Sequence, residues 1–360
     1  MANITAAMVK ELREMTGAGM MDCKKALNET DGNMDEAVDF LRKSGAAKME
    51  KKASRIAAEG ICRVAVAEGK GVVVEVNSET DFVAKNEVFQ EFVQTVADTA
   101  LASGKNGGKN GEDVEDLLEA GLKDVIAEKT LKIGEKLSFR RFEKVEADTV
   151  VSYIHGGGKI GVLVAGNGAK DDAAKEALTN IAMQVAAMNP QYISRSDMSD
   201  AEVAKLREIT VEAAINDPAT LPKPILMKLI GKAVDEKQWS DEDIAIYEEK
   251  KSNMNFLFNF LSKEAAAKLV ELAQADKENI IADKIFNGLA EGRVSKQLKD
   301  ICLMDQTYVK AEDGKQSVAK YIESVNKSLV ISKFVRFEVG EGMEKKNEDF
   351  AAEVAAQMNA

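Results

Sequence analysis

The residues suited to chemistry are few, and one acidic–aromatic pair is prominent among them. Asp81 and Phe82 lie side by side in NSETDFVAKN (77–86), directly after the almost wholly apolar run GVVVEV (71–76). A turn after a buried strand favours polar residues, whereas a core takes only the phenylalanine. Two arrangements fit this pattern. Either Thr80 or Asp81 caps the following helix while Phe82 folds onto the sheet edge, or Phe82 is an exposed wedge beside a carboxylate.

The sequence holds one histidine, His155, which is followed by three glycines and Lys159. A single histidine excludes a metal or catalytic cluster built from several histidines. A hairpin turn or a contact explains His155 more simply than general-base catalysis does. The glycine run lacks the Ser or Thr that follows the lysine of a phosphate-binding loop. We therefore expect no enzymatic site, no cofactor and no resident metal.

Composition and charge narrow the class of protein further. The chain has 360 residues, of which 45% are hydrophobic and 31% charged, as is usual for globular proteins of two or three domains. Its net charge of −12 argues against binding nucleic acid or an anionic membrane through a broad basic surface. The three cysteines are widely separated, which suits a reducing compartment. Without a secretory pattern or a stretch of ~18 apolar residues, a cytoplasmic location is expected.

Helical periodicity predicts a compact three-helix unit over residues 3–44. The pair Met20 and Met21 follows a glycine-rich turn in this unit. Either one methionine reaches the core while the other is exposed as adaptable contact surface, or both pack internally, as spacing alone favours. The third helix is predicted to close on Gly45, with a charged, alanine-rich helical linker over 46–58.

A change to a two-residue period predicts two β-hairpins, over 61–76 and 150–165, which lie about 90 residues apart. A helix follows each hairpin, another helix is predicted near 113–130, and further strands are predicted over 137–145 and 330–339. We interpret the pattern as a degenerate internal duplication in which helices pack on one face of antiparallel sheets.

The segment 199–297 is charged and helical throughout, and three prolines predict a corner between helices there: Pro218, Pro222 and Pro224. FLFNFLSKEAAAKLVELAQ (256–274) has an apolar side that is expected to pack against a neighbouring helix. A short extended piece is predicted within 298–312 and a final amphipathic helix over 349–358.

Two motifs in this order, LREMTGAGMMDCKKAL (12–27) and TDFVAKN (80–86), closely resemble the elongation factor Ts family. The resemblance continues through KIGEKLSFRR (132–141), SYIHGGGKIGVLV (152–164), IAMQVAAMNPQYI (181–193) and FVRFEVGEGMEKKNEDFAAEVAA (334–356). It covers residues 1 to about 215 and resumes at about 276.

The resemblance implies an α+β fold with a ubiquitin-associated-like (UBA-like) N-terminal domain of three helices. It also implies a two-subdomain core of antiparallel sheets with packed helices, a long coiled-coil-like helical insert and a C-terminal helical module. The expected insert is longer than is usual in the family over about 217–275. The expected boundaries are 1–55 for the N-terminal domain, 56–148 and 149–190 with 299–342 for the core, 191–298 for the insert, and 343–360 for the C-terminal module.

The function implied by the resemblance is guanine nucleotide exchange on elongation factor Tu, in its GDP-bound and nucleotide-free states. In the family a Thr-Asp-Phe-Val motif dislodges Mg²⁺ from the partner's nucleotide site, a role that falls here on Thr80, Asp81, Phe82 and Val83. Partner contacts fall on Arg13, Met20, Met21, Lys24, Ile133, Gly134 and His155. Exchange needs no covalent chemistry.

Other interpretations stay open at this point. The alternative function is a UBA-like adaptor or scaffold that binds a GTPase without releasing its nucleotide, and an enzyme built on the His155 loop is the weaker third. Three roles are open for the longer insert: it could lengthen a protrusion, add a surface for homodimerisation, or change the placement of the C-terminal module.

Overall fold

The structure is a computed structural model that describes residues 4–252 and 254–344. The helix predicted over 349–358, and nearly all of the expected C-terminal module, lie outside the described residues. Contacts divide the chain into two units, of which the first comprises Met1–Asn189 and Thr307–Ala360 and the second Pro190–Gln306. The second unit is therefore an insertion into the first.

Three helices open the chain: α1 (Ala6–Thr16), α2 (Met20–Glu29) and α3 (Met34–Lys52). They enclose an apolar cluster that includes Leu12, Cys23 and Leu27. The predicted end of the third helix at Gly45 is wrong, because α3 continues to Lys52. Gly45 instead permits close packing, since a Cβ there would lie 2.9 Å from the carbonyl oxygen of Ala127.

The first sheet is antiparallel and has the strand order β1-β2-β4-β3. Its strands are β1 (Glu59–Ala67), β2 (Lys70–Ser78), β3 (Gly107–Gly108) and β4 (Ser138–Glu146). The first predicted hairpin is confirmed, with Gly69 in its turn at a φ of 72°. Nearly all of β2 is buried, because other layers cover both faces of the sheet, and this explains its continuous apolar run.

Four helices accompany the first sheet: α4 (Asp81–Ala84), α5 (Glu87–Ala102), α6 (Val114–Leu117) and α7 (Lys123–Ile133), with a π-helical turn over Leu118–Leu122. Phe89 and Phe92 of α5 share a core with Val72 and Val74 of β2. The helices predicted after the hairpin and near 113–130 are thus confirmed in type.

The second sheet has the order β5-β6-β7 and is also antiparallel. Its strands are β5 (Thr149–His155), β6 (Ile160–Asn167) and β7 (Val330–Glu338), and α8 (Asp172–Met188) packs on β5 and β6. The two sheets face one another across an apolar layer that includes Val73, Leu163 and Phe337.

The two halves share a detail beyond the order of their elements. The pairing register shifts between Glu75 and Val76 in the first sheet and between Ala165 and Gly166 in the second. A register shift of this kind marks a β-bulge, and the positions of β-bulges tend to be retained among related structures. Its recurrence about 90 residues later supports the predicted duplication.

The described residues of the inserted unit form six α-helices: α9 (Asp200–Asn216), α10 (Lys223–Asp235), α11 (Asp241–Lys250), α12 (Lys263–Ala275), α13 (Lys277–Ala282) and α14 (Lys284–Ile301). A 3-10 turn over Pro218–Thr220 separates α9 from α10, which confirms the proline corner. The predicted apolar side of α12 is confirmed, with Leu269 and Leu272 buried. Trp239 is buried in the same core and donates from Nε1 to the carbonyl oxygen of Ala265, at 3.1 Å.

A long coiled-coil-like hairpin is not confirmed, because helices of 6 to 18 residues share one compact core in this unit. The extended piece predicted within 298–312 is reduced to a 3-10 turn over Leu303–Asp305 and isolated bridges, one of them between Thr307 and Ser317. One more helix, α15 (Val318–Val325), was not predicted. No helix in the described part of the chain is long and apolar enough to cross a membrane.

Candidate functional site

The chain between β2 and α5 forms a tight corner over residues 79–85, called the wedge corner below. Thr80 is the N-cap of α4, and its hydroxyl oxygen accepts a hydrogen bond from the amide of Val83 at 3.4 Å. The predicted capping role of Thr80 is thereby confirmed. Because α4 has only four residues, the corner is a single helical turn between two longer elements.

Phe82 points away from the protein, and its side chain is 80% exposed. The arrangement in which Phe82 folds onto the sheet edge is therefore wrong. Successive helical residues point about 100° apart, so only one of two neighbours can face the core. Val83 takes that place, since it packs against the core between the first sheet and α5.

Asp81 is half-buried, and its carboxylate lies 2.7 Å from the ammonium group of Lys85. The hydrogen bond from Lys85 lowers the pKa of Asp81 below its usual value, and the charge of Lys159 lowers it further. Asp81 is therefore negatively charged at neutral pH, directly beside the exposed phenyl ring.

The turn after α7 lies against the wedge corner. Ile133 ends α7 and is partly buried in the first core, while Gly134 follows as the C-cap with a φ of 88°. The next residue, Glu135, accepts a hydrogen bond from the hydroxyl of Thr80 at 2.7 Å. The predicted contacts Ile133 and Gly134 are thus next to the corner that carries Phe82.

His155 is exposed at the end of β5, where its Nδ1 lies 3.1 Å from the hydroxyl oxygen of Tyr153. The same turn contains Lys159, whose ammonium lies 2.5 Å from the carboxylate of Glu59. Glu59 begins β1 and pairs with Ser78 at the end of β2. The His155 turn and the wedge corner therefore lie at the same end of the two sheets.

Both methionines of the N-terminal unit are exposed, Met20 to 60% and Met21 to 77%. The prediction that at least one of them packs internally is wrong. Helix α2 buries a different stripe, formed by Cys23, Ala26 and Leu27, which leaves its first turn at the surface. Arg13 and Lys24 are exposed as well.

The turn before α2 is close to the end of α7. A Cβ at Gly17 would come within 3.0 Å of the ammonium nitrogen of Lys132, so the turn before Met20 touches the residue preceding Ile133. The structure thus connects the N-terminal helices, the end of α7 and the wedge corner as neighbours within the first unit.

Two functional candidates were missed at the sequence level, Glu79 and Glu135. Both carboxylates brace the wedge corner. The available signal was an acidic residue directly after a helix-ending glycine, in KIGEKLSFRR (132–141).

The site offers a surface for a macromolecule. Phe82, Met20 and Met21 are all exposed, and exposed apolar surface beyond scattered single side chains is typical of protein interaction sites. Over residues 4–252 and 254–344, no group of three or more His, Cys, Asp or Glu side chains is arranged to hold a metal ion. Fold and site together are typical of a factor that acts by binding another protein.

Comparison with known proteins agrees with this class. The family model for elongation factor Ts matches residues 79–341, beginning at the first residue of the wedge corner. The chain is 42% identical to elongation factor Ts of Clostridioides difficile (strain 630) over 370 residues, which span 99% of this chain and all of that relative. The chain belongs to the elongation factor Ts family of translation elongation factors, which confirms the resemblance found in the sequence.

Proposed function

We propose that this protein is a guanine nucleotide exchange factor that binds GDP-loaded elongation factor Tu, displaces its Mg²⁺ and promotes GDP release so that GTP can bind. One observation carries the proposal: Phe82 is 80% exposed on a corner whose neighbouring residues are held in place. A single exposed apolar side chain is ordinary on a protein surface, so what supports the proposal is the place of Phe82 on a braced turn directly beside the charged Asp81.

The geometry supports different roles for the four residues of the motif. Phe82 would enter the partner near its metal site, and the charged Asp81 would disturb the magnesium's shell of water and ligands. Thr80 and Val83 hold the corner instead, because the Thr80 hydroxyl is bonded to Glu135 and Val83 packs inward. Asp81 must leave Lys85 to act, and their ion pair is exposed enough to open.

Phe82 cannot supply the whole driving force. A nucleotide bound at nanomolar affinity is held by about 12 kcal/mol. Burying one phenylalanine contributes about 1.5–3 kcal/mol. The remainder must come from a wider interface, of about 1,600 Å² or more in a stable complex.

Exposed residues around the corner are the proposed sources of that interface. We assign partner contacts to Arg13, Met20, Met21, Lys24, Ile133, Gly134 and His155. Met20 and Met21 suit this role because flexible thioether side chains adapt to an apolar surface. Ile133 is only partly exposed, so we expect its contribution to be smaller than that of Met21.

Exchange by this route requires no covalent step. Because coupling between two ligands is reciprocal, a factor that weakens GDP binding must itself bind more weakly when GDP is present.

We propose that the protein promotes exchange in the cytoplasm, and that any homodimer forms through the inserted unit. Light scattering of the full chain measures the oligomeric state.

The test follows release of a fluorescent GDP analogue from elongation factor Tu. We expect the protein to accelerate release catalytically and Phe82→Ala to lower kcat/KM about tenfold or more, in line with the loss of one buried aromatic ring. Phe256 is 55% exposed in the inserted unit, so Phe256→Ala is the matched control and should leave the rate unchanged.

Melting curves separate the two roles considered for Phe82. An exposed side chain contributes little to folding, so Phe82→Ala should leave Tm nearly unchanged. Binding without accelerated release would favour the adaptor, for which exposed Met20 and Met21 already provide a surface. A collapse of Tm in Phe82→Ala would show that the ring serves the fold.

A further inference from the structure

The wedge corner is anchored to the core by Val83 and Ala84, near its end. Helix α4 is one turn long, and so short a helix is unstable by itself. Its most prominent side chain, Phe82, is 80% exposed and packs on little. The start of the corner therefore needs further support if the direction of the ring is to be fixed.

The carboxylate of Glu135 does this through three hydrogen bonds. Its Oε2 accepts from the amides of Glu79 and Thr80, at 3.1 and 3.0 Å. Its Oε1 accepts from the hydroxyl of Thr80, at 2.7 Å. Hydrogen bonds to an ionised acceptor are stronger than those between neutral groups, so one side chain fixes both backbone and cap at the start of α4.

The bracing is reciprocal. The carboxylate of Glu79 accepts from the amide of Lys136 at 2.6 Å and pairs with the guanidinium of Arg55 at 3.2 Å. The ammonium of Lys136 donates to the carbonyl oxygens of Ala53 and Arg55, at 2.6 and 2.7 Å. The start of the wedge corner and the turn after α7 thus each accept hydrogen bonds from the other's backbone amides.

The same junction connects the corner to the N-terminal helices. The ammonium of Lys52, the last residue of α3, donates to the carbonyl oxygen of Gly134. Gly134 directly precedes Glu135. The end of α3, the turn after α7 and the wedge corner are therefore joined by hydrogen bonds in the first unit.

We propose that Glu135 is a positioning residue for nucleotide exchange, which holds the corner so that Phe82 is presented in its inserting direction before the partner arrives. The inference rests on the proposed function. A group ordered in advance loses less conformational freedom on binding, so the partner is opened at a lower free-energy cost. Glu135 acts through Phe82 and need not touch the partner.

A double-mutant cycle tests this dependence. We expect Glu135→Ala to lower kcat for GDP release about five- to tenfold, with KM for GDP-loaded elongation factor Tu changed less than about twofold. In the Phe82→Ala background the same substitution should change kcat less than about twofold, because nothing is left to position.

Two further variants guard against trivial effects. Glu135→Gln keeps one acceptor oxygen and should give an intermediate rate; it also serves if Glu135→Ala does not fold. Glu112 braces another loop by accepting from the amide and side chain of Asn110, at 2.9 and 3.0 Å, so Glu112→Ala is the matched control and should leave exchange unchanged. Thermal melts accompany every variant.

The outcomes separate this inference from the proposed function. If Phe82→Ala slows release but Glu135→Ala does not, the positioning role is overturned and the wedge stands. Equal losses in both backgrounds, or a rise in KM alone, would show that Glu135 contacts the partner independently. If Phe82→Ala leaves exchange intact, both the wedge and its positioning are overturned.

Discussion

The first unit contains two similar halves, each with a hairpin followed by a helix, and they differ most at the corner where the hairpin leads into the helix. In the first half, residues 79–85 separate β2 from Asn86, the N-cap of α5. In the second half, only residues 168–170 separate β6 from Asp171, the N-cap of α8. The longer corner adds the turn α4, and Phe82 lies on that added turn.

Both corners are braced in the same manner, by carboxylates that accept backbone hydrogen bonds. In the second corner, Asp148 accepts from the amide of Gly168 at 3.0 Å, while the amide oxygen of Asn167 accepts from the amide of Asp148 at 3.0 Å. Rigidity is thus common to both halves, whereas the exposed aromatic ring belongs to one. The first half thus differs from the second by a short additional turn, and that turn carries the proposed wedge.

The largest effect is expected at a buried charge that distinguishes β2 from β6. Glu75 is fully buried and binds Arg140 and Arg141 at 2.9 and 2.6 Å, whereas the residue beside the equivalent bulge in β6 is Ala165. Glu75→Ala removes the buried carboxylate that Arg140 and Arg141 share, and the remaining carboxylate partner of Arg141, Glu341 at 3.1 Å, is partly exposed, so we expect a loss of about 3–5 kcal/mol in the free energy of unfolding. Urea denaturation measures it.

A matched carboxylate checks that burial is the cause. Glu338 pairs with Arg336 at 2.7 Å, but its side chain is half exposed, so Glu338→Ala should cost far less. Similar losses for Glu75→Ala and Glu338→Ala would contradict the importance of the buried network.

A smaller effect is expected from the brace of the second corner. The hydrogen bond from Gly168, followed by that from Lys170, lowers the pKa of Asp148 below its usual value of 3.8. A lowered carboxylate pKa stabilises the fold above the unfolded value and loses that contribution as pH falls through the folded value. The Tm advantage of the wild type over Asp148→Asn should therefore be constant near neutral pH and shrink below about pH 4.

The calorimetric comparison has a clear opposing result. A Tm difference that grows as the solution is acidified would show that Asp148 is protonated more readily in the folded chain than in the unfolded one. Exchange activity of Asp148→Asn at neutral pH should match the wild type, since this brace supports no wedge.

The smallest effect is expected at the tip of the second corner. Lys170 is exposed beside Asp148, with its ammonium 3.3 Å from the carboxylate. Lys170→Ala should change the rate of GDP release less than about twofold, because isolated surface pairs contribute little. A loss as large as that of Phe82→Ala would show that both corners engage the partner, and the contrast between the halves would fail.

Much of the architecture could be predicted from periodicity. Apolar patterns predict the hairpins, their spacing and the helices that cover them. Apolar residues alternate along a strand where one face of the sheet is covered, and they form a continuous run where both faces are covered. Periodicity does not predict helix α15, because its apolar stripe is short. The extended piece predicted within 298–312 is wrong, because the pairing there consists of isolated bridges.

The site was harder to predict than the fold. Spacing alone could not decide whether Phe82 or Val83 faces the core, since the answer depends on where a single turn begins. The exposure of Met20 and Met21 could have been inferred from the stripe Cys23–Leu27, which already fills the inner face of α2. The hydrogen bonds of Glu135 join it to residues more than fifty positions earlier, which no local pattern reveals.

The late position of β7 has a consequence for how the chain is made. Strand β6 ends at Asn167, yet its partner β7 begins only at Val330, after the inserted unit. At about 5–20 residues per second, a ribosome needs roughly 10–30 s to deliver that partner. During this interval the nascent chain carries an unpaired edge that can associate with other chains. The rate of elongation, the process that this family serves, thus sets how long the edge of β6 stays unpaired during synthesis.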